Sequence, residues 1–424
     1  MLVEEFIKNN GKTYRPGSDA HLELRRLYIG CSELYKANGT LNMIKNVIKG
    51  KLFPQPLKVI PVTHGVHFED NCEEYVKYLF NNKYIYKAPG SILNSKLPNI
   101  ACSPDGLGYM NVSNFDKYKK TKKGIEYVNI TLDNADKLVP EFTMNDYHLG
   151  EFQGEFQGYN CPPCHHEHVG EHAGEHVGAG VVPCLFEYKS PFSRKLKDGY
   201  ISYDYEYQIQ GGMQVVDICN YACFFEGVFR QCSLGQLFES WDYEYNYNLY
   251  EQEEGKLEIA KGIKLYFLKP EFFQSLSLVY KLLQLLSDFE TAHYESFGID
   301  FGSMQYFKDF FVGLNESLYE IVNIPMFCKT TKDNDSKFYN SDNQELTKEY
   351  ICEIIGSYAS KPGYLGFVCW KLYDYQVIIE KRSNIITEKE LRRCECIMEC
   401  IKAIDSLEQL EFIKLTDDLN PYLN

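Results

Sequence analysis

Between Glu151 and Gly178 the chain repeats a four-residue unit ending in glycine. Glu-Phe-Gln-Gly occurs twice from Glu151, and Glu-His-Val-Gly, Glu-His-Ala-Gly and Glu-His-Val-Gly close the segment at Gly178. Glycine adds no apolar area and loses the most backbone freedom on ordering, so a stretch of this kind builds no core. A compact fold must therefore be assembled from what lies on either side. The reading is one core made of residues 1–108 and 181–300, a flexible surface insertion over 109–180, and a C-terminal α/β extension over 301–424 packed on that core.

The flanking pieces have the means to do this. Of 424 residues, 44% are apolar, aromatic or Cys, and 34 Tyr with 27 Phe favour strands and aromatic packing over a helical bundle. A net charge of −15 argues against a protein that coats nucleic acid by overall charge. It leaves room for an enzyme whose carboxylates hold metal ions and whose Lys and Arg are confined to a groove. Fifteen irregularly spaced cysteines do not form the framework of a small secreted domain. The start, Met-Leu-Val-Glu-Glu-Phe, has no basic region followed by an apolar run, and no stretch nears the roughly 18 apolar residues of a membrane span. The expectation is an intracellular, reducing location without a membrane partner.

Periodicity places the elements. Residues 18–48 read as helical with an interruption at Gly30-Cys31-Ser32, and 69–80 as a helix with Cys72, Val76, Leu79 and Phe80 on one face. A strand ends near Ile100 and runs into a turn at Ser103-Pro104-Asp105-Gly106. A strand at 181–189, a helix at 203–217 and a strand at 221–230 follow. Beyond an acidic, Tyr-rich irregular stretch at 235–260 come a strand at 262–268, a helix at 272–290, a polar loop at 329–345, a strand at 364–379 and a helix at about 388–410. The fold class expected is α/β, a central mixed sheet flanked by helices.

Four short pieces carry the chemistry. Asp105 is a carboxylate presented at a tight turn, and Glu187 and Lys189 share one face of a strand because strand side chains alternate. Gln208 sits in the helix after that strand, and Glu69 opens the 69–80 helix just after Gly65. Two or three carboxylates can hold Mg²⁺ or Mn²⁺ through hard oxygens, and an amine beside them can orient water and stabilise charge on a phosphate. Each piece alone is common in proteins of this size, and it is their order and flanks together that point to phosphodiester hydrolysis.

Those flanks resemble a known family. Ala101-Cys102-Ser103-Pro104-Asp105-Gly106-Leu107, then Glu187-Tyr188-Lys189-Ser190-Pro191, then Tyr205-x-x-Gln208-x-Gln210-x-x-Met213 are similar to the lambda exonuclease (YqaJ) family of the PD-(D/E)xK nuclease superfamily. Leu24-Arg25 with Cys31-Ser32-Glu33, and Gly65 with Glu69, match its upstream motifs. Phe229-Arg230-x-Cys232-Ser233 is similar to versions from large cytoplasmic DNA viruses. The resemblance covers about 18–230 apart from the insertion, and more faintly 364–372.

It implies a restriction-endonuclease-like core. It also implies Mg²⁺ or Mn²⁺, two ions, held by Glu69, Asp105, Glu187 and the Tyr188 carbonyl, with Lys189 positioning the water and Gln208 and Tyr205 lining the site. Arg25 and Ser32 match positions that bind a terminal 5′-phosphate, with Arg26 as an alternative one residue on. The implied activity is 5′ to 3′ degradation of one strand of linear duplex DNA. A single-strand annealing partner, a trimeric homo-oligomer and action in the host cytoplasm or a viral factory come with it. Asp105 and Glu187 lie 82 positions apart, far more than the family's hairpin needs, though a long flexible loop costs little extra closure entropy. Two rivals stay open: an end-independent endonuclease of the same superfamily, and a catalytically silent DNA-binding scaffold.

Other features are weaker. The basic run at Lys117, Lys119, Lys120, Lys122 and Lys123 is as consistent with a solvated loop as with phosphate contact. Arg194 and Lys195, just past the catalytic strand, fit DNA contact better. Cys161 and Cys164 beside His165, His166 and His168 have zinc-like ligand types but spacing too tight for a standard finger. Cys394, Cys396 and Cys400 read as small apolar residues of the last helix, and His64 and His67 as packing or hydrogen-bonding groups.

Overall fold

The structure, a computed structural model, describes residues 2–12, 23–54, 60–80, 85–87, 90–111, 181–192, 196–197, 199–232, 234–238, 260–272, 319–330 and 336–403. The Gly-rich repeats, Cys161, Cys164, the lysine run, Arg194, Lys195 and most of the helix expected at 272–290 lie outside those residues.

Helices of eight or more described residues are α1 (Val3–Asn10), α2 (Leu41–Leu52), α3 (Ile60–Leu79), α4 (Tyr203–Val215), α5 (Lys348–Ala359) and α6 (Glu388–Ala403). The main sheet is formed by β1 (Ile85–Lys87), β2 (Gly106–Asn111), β3 (Val181–Lys189), β4 (Tyr221–Cys232), β5 (Ala260–Leu268), β6 (Tyr319–Thr330), β7 (Ser336–Tyr339), β8 (Glu345–Leu346) and β9 (Tyr364–Lys381). Its order is β8-β7-β6-β5-β9-β4-β3-β2-β1. β3 and β4 are parallel, with α4 as their crossover, and the other neighbours are antiparallel. The sheet is therefore mixed and carries helices, as the α/β expectation required. A small sheet joins Gly11–Lys12, Ser91–Leu93, Ile100–Cys102 and Ile29–Gly30.

Sequence explains the inner strands. β4, Tyr-Ala-Cys-Phe-Phe-Glu-Gly-Val-Phe-Arg-Gln-Cys, is buried over all but its first residue, so both its faces must be apolar or internally paired. Phe224 points to one core layer, with Leu185, Ile209 and Met213, while Phe225 and Phe229 point to the other, with Phe68, Val76 and Trp370. α3 presents Phe68, Cys72, Tyr75 and Val76 to that second layer at three-to-four spacing.

Some expectations need correction. The helix predicted at 69–80 begins at Ile60, with Pro61 in its first turn, where a missing N–H costs nothing. The interruption expected at Gly30-Cys31-Ser32 in the helical reading of 18–48 begins one residue earlier and is a strand: Ile29 and Gly30 pair in parallel with Ile100 and Ala101, and that long-range pairing overrides local propensity. The loop expected at 329–345 is a hairpin at the sheet edge: Phe327 to Thr330 pair with Tyr339 back to Ser336. Its polar composition is what an edge strand tolerates. α5 is an addition to the expected elements; Thr347 caps it by accepting from the Tyr350 amide at 3.2 Å. β2 runs to Asn111, so the insertion leaves the sheet later than 109. β9, from the C-terminal third, lies inside the sheet between β4 and β5.

Candidate active site

The register of β2, β3 and β4 assembles the site. Gly106 pairs with Phe186, so the preceding turn residue, Asp105, arrives beside the end of β3. The Tyr188 amide donates to Asp105 Oδ2 at 2.6 Å and fixes that carboxylate. Glu187 is buried at 2% exposure, and both Lys189 Nζ and Gln208 Nε2 donate to its Oε1. Lys189 Nζ also lies 5.1 Å over the Tyr205 ring, which packs in turn on Phe224.

Two glycines let α4 come this close. A Cβ on Gly212 would meet Leu185 Cδ1 at 2.8 Å and Cys102 Sγ at 3.1 Å, and one on Gly211 would collide with Leu34. With hydrogen there instead, α4 settles on β3 and Gln208, one turn earlier, reaches Glu187. α3 is anchored across the same strand end, where the Cys72 thiol donates to the Lys189 carbonyl at 4.0 Å. His64 Nε2 lies 3.3 Å from Ser190 Oγ, and burial holds His64 and His67 neutral, well below the usual histidine range.

The electrostatics are those of a crowded anionic site. Burial pushes the Glu187 carboxyl up from 4.5 to about 8, helped by the charges of Asp105 and Glu69 and opposed by Lys189. Glu69 therefore acts on the centre from α3, one turn before Cys72. Burial would lower the Lys189 amine, but the Glu187 and Asp105 carboxylates outweigh it and raise it. Burial leads the first shift and neighbouring carboxylates the second, and both groups hold their protons to higher pH than they would in water.

That surplus suits a divalent cation. Among the described residues no three Asp, Glu, His or Cys side chains are gathered tightly enough to hold a metal by themselves. Mg²⁺ does not ask for that: it is commonly held by one or two carboxylates, with waters and substrate phosphate oxygens completing the shell. Asp105 and Glu187 fit this role, their hard carboxylate oxygens being the donors Mg²⁺ prefers.

Of the residues singled out from sequence, Asp105, Glu187, Tyr188, Lys189, Tyr205 and Gln208 come together, with Glu69 close enough to be felt. Arg25 meets Glu33 at 3.5 Å, and Ser32, one residue before Glu33, is exposed. Arg26 turns elsewhere, its Nη2 donating to the Leu52 carbonyl at 3.4 Å. Cys394 is buried, and Cys396 and Cys400 pack on the same core as apolar groups. Sequence reading missed Glu226, which faces the same side as Lys189 by register and accepts from Gln376 at 2.7 Å, and it missed Lys51. Both carried a signal: a charge inside an otherwise apolar stripe.

No family model matches the chain. It is similar to a protein of African swine fever virus, with 39% identity over 82 residues to the version in a tick isolate from Malawi and 37% over 82 residues to that in the Pretoriuskop isolate from South Africa. Those 82 residues are 19% of this chain and 23% of the relative, so the match spans under a quarter of the curated proteins. Among solved structures, an alkaline exonuclease from Laribacter hongkongensis aligns with 50% of this chain and 74% of its own, at 12% identity and a TM-score of 0.27.

Proposed function

We propose that the chain is a Mg²⁺-dependent deoxyribonuclease that degrades one strand of linear duplex DNA, 5′ to 3′, from a phosphorylated end. The observation that carries this reading is the convergence of Asp105, Glu187 and Lys189 on one strand end, with Gln208 and Lys189 sharing Glu187 Oε1. Bound between Asp105 and Glu187, Mg²⁺ would supply charge to the phosphate and a water of lowered pKa.

The chain's own residues do the rest. The Tyr188 amide and Gln208 hold the two carboxylates in place. Lys189, steadied by the Tyr205 ring, brings an ammonium to where negative charge grows as the phosphodiester is attacked. Glu69 adds negative potential from α3 and is the candidate for a further metal contact. Arg25 and Ser32 are assigned to the DNA end. A role in viral recombination, repair or replication, in the cytoplasm or viral factory of an infected cell, accords with the likeness to an African swine fever virus protein. A ring-shaped homotrimer and a single-strand annealing partner complete the proposal.

The test is digestion of linear duplexes with 5′-phosphate or 5′-hydroxyl ends beside a closed circle, with Mg²⁺. Nucleotide release from phosphorylated ends alone supports the reading. Cutting of the circle transfers support to an endonuclease, and no turnover with Mg²⁺ or Mn²⁺ leaves a DNA-binding scaffold.

A further inference from the structure

α2 buries Ile44, Val47 and Ile48, and on the same stripe, at its last turn, Lys51. Lys51 is 3% exposed. Its ammonium meets Glu33 Oε2 at 2.5 Å and lies 5.5 Å over the Tyr28 ring. The same oxygen accepts from the Gly30 amide at 2.8 Å. The other oxygen of Glu33 reaches Arg25 Nη2 at 3.5 Å, and the Arg25 side chain is 47% exposed. Two cations therefore share one carboxylate. The shorter, buried contact goes to Lys51, which leaves Arg25 as the cation an incoming anion can reach, with the exposed Ser32 next to Glu33 in the chain. Burial lowers the Lys51 amine, and Glu33 only partly restores it.

The cluster is also tied to the reaction centre. Tyr28 Oη lies 2.7 Å from Ser91 Oγ, which lies 3.1 Å from Ser103 Oγ, two residues before Asp105. Cys31 and Leu34 press on Gly211 of α4, the helix that carries Gln208.

We propose that Lys51 is a positioning residue that neutralises Glu33, so that Arg25 with Ser32 stays available to the phosphate monoester of a DNA end. The inference rests on the DNA-end reading above. Without Lys51, Glu33 turns its charge on Arg25 and cancels the receptor. Without Glu33, Arg25 keeps its charge whether or not Lys51 is present.

The test is the affinity of the full-length protein for a short fluorescent duplex bearing a 5′-phosphate against the same duplex with a 5′-hydroxyl, in EDTA, by anisotropy. The wild type prefers the phosphorylated end. Lys51→Met lowers that preference roughly tenfold, the size of one charge-assisted contact. Glu33→Gln keeps or strengthens it, and the double variant Lys51→Met with Glu33→Gln regains it, which a merely structural lysine would not allow.

A folded Lys51→Met protein with unchanged preference, or a double variant as weak as Lys51→Met, overturns the proposal. If Lys51→Met does not fold, Glu33→Gln decides: lost preference there also overturns it. A wild type that cuts DNA without regard to the end phosphate sinks this inference and leaves the nuclease. One that neither binds nor cuts DNA sinks both.

Discussion

Replacing Glu187 by glutamine should make the metal-free protein more stable, and increasingly so as pH rises. Glutamine imitates the protonated carboxyl: it keeps the oxygen that accepts from Lys189 and Gln208 and removes the charge. The folded carboxyl titrates at about 8 against 4.5 for the free group. A raised carboxyl gives stability that is present below the unfolded pKa and lost as pH rises through the folded one. Between those values the unfolded wild type is ionised while the folded one is forced to stay neutral. From pH 4 to pH 7 the advantage of Glu187→Gln should therefore grow by about 3 kcal/mol, reaching about 5 kcal/mol by pH 9 and then levelling. Urea titrations of both proteins in EDTA at pH 5, 6, 7, 8 and 9 read this directly. Adding Mg²⁺ should stabilise the wild type, since an ion held by Asp105 and Glu187 as proposed would bind only the folded protein, and close most of the gap. A gap that does not change with pH, or a Glu187→Gln protein less stable than wild type at pH 8, would rule out a carboxyl held neutral by burial.

Other substitutions probe separate links. Asp105→Asn keeps an acceptor for the Tyr188 amide and should leave thermal stability in EDTA near wild type while abolishing the rise in Tm with Mg²⁺. Phe68→Ala removes a fully buried ring stacked 5.2 Å from Phe229 and should cost about 3–5 kcal/mol in urea unfolding. Gly262→Ala places a Cβ 2.6 Å from the Ile324 carbonyl oxygen and against the Trp370 ring, and should lower stability by about 1–3 kcal/mol.

The local geometry of the candidate site was legible in the sequence because it is local. Glu187 and Lys189 share a face by strand periodicity alone, Pro104-Asp105-Gly106 announces a turn, and Gln208 follows in a patterned helix. What periodicity could not supply was order across the sheet. β9 enters between β4 and β5, and Ile29–Gly30 joins a small sheet through pairing with Ile100–Ala101, both contacts far apart in sequence. The Lys51–Glu33 pair was hidden for the same reason: the helix expected from sequence ends at 48, before Lys51, and only the tertiary fold reveals the carboxylate that meets it. Edge hairpin β6–β7 escaped because its polar residues look like a loop when no partner strand is in view.

Nuclease chemistry at Asp105, Glu187 and Lys189 meets its sharpest test in single-turnover cleavage of a 5′-phosphorylated linear duplex by wild type and Lys189→Ala, with Mg²⁺ and matched folding by circular dichroism. The expected result is a Mg²⁺-dependent release of nucleotides that falls at least about a hundredfold in the variant, as when a donor to the developing phosphate charge is removed. Equal rates for the two proteins, or no release by the wild type with either Mg²⁺ or Mn²⁺, would contradict it.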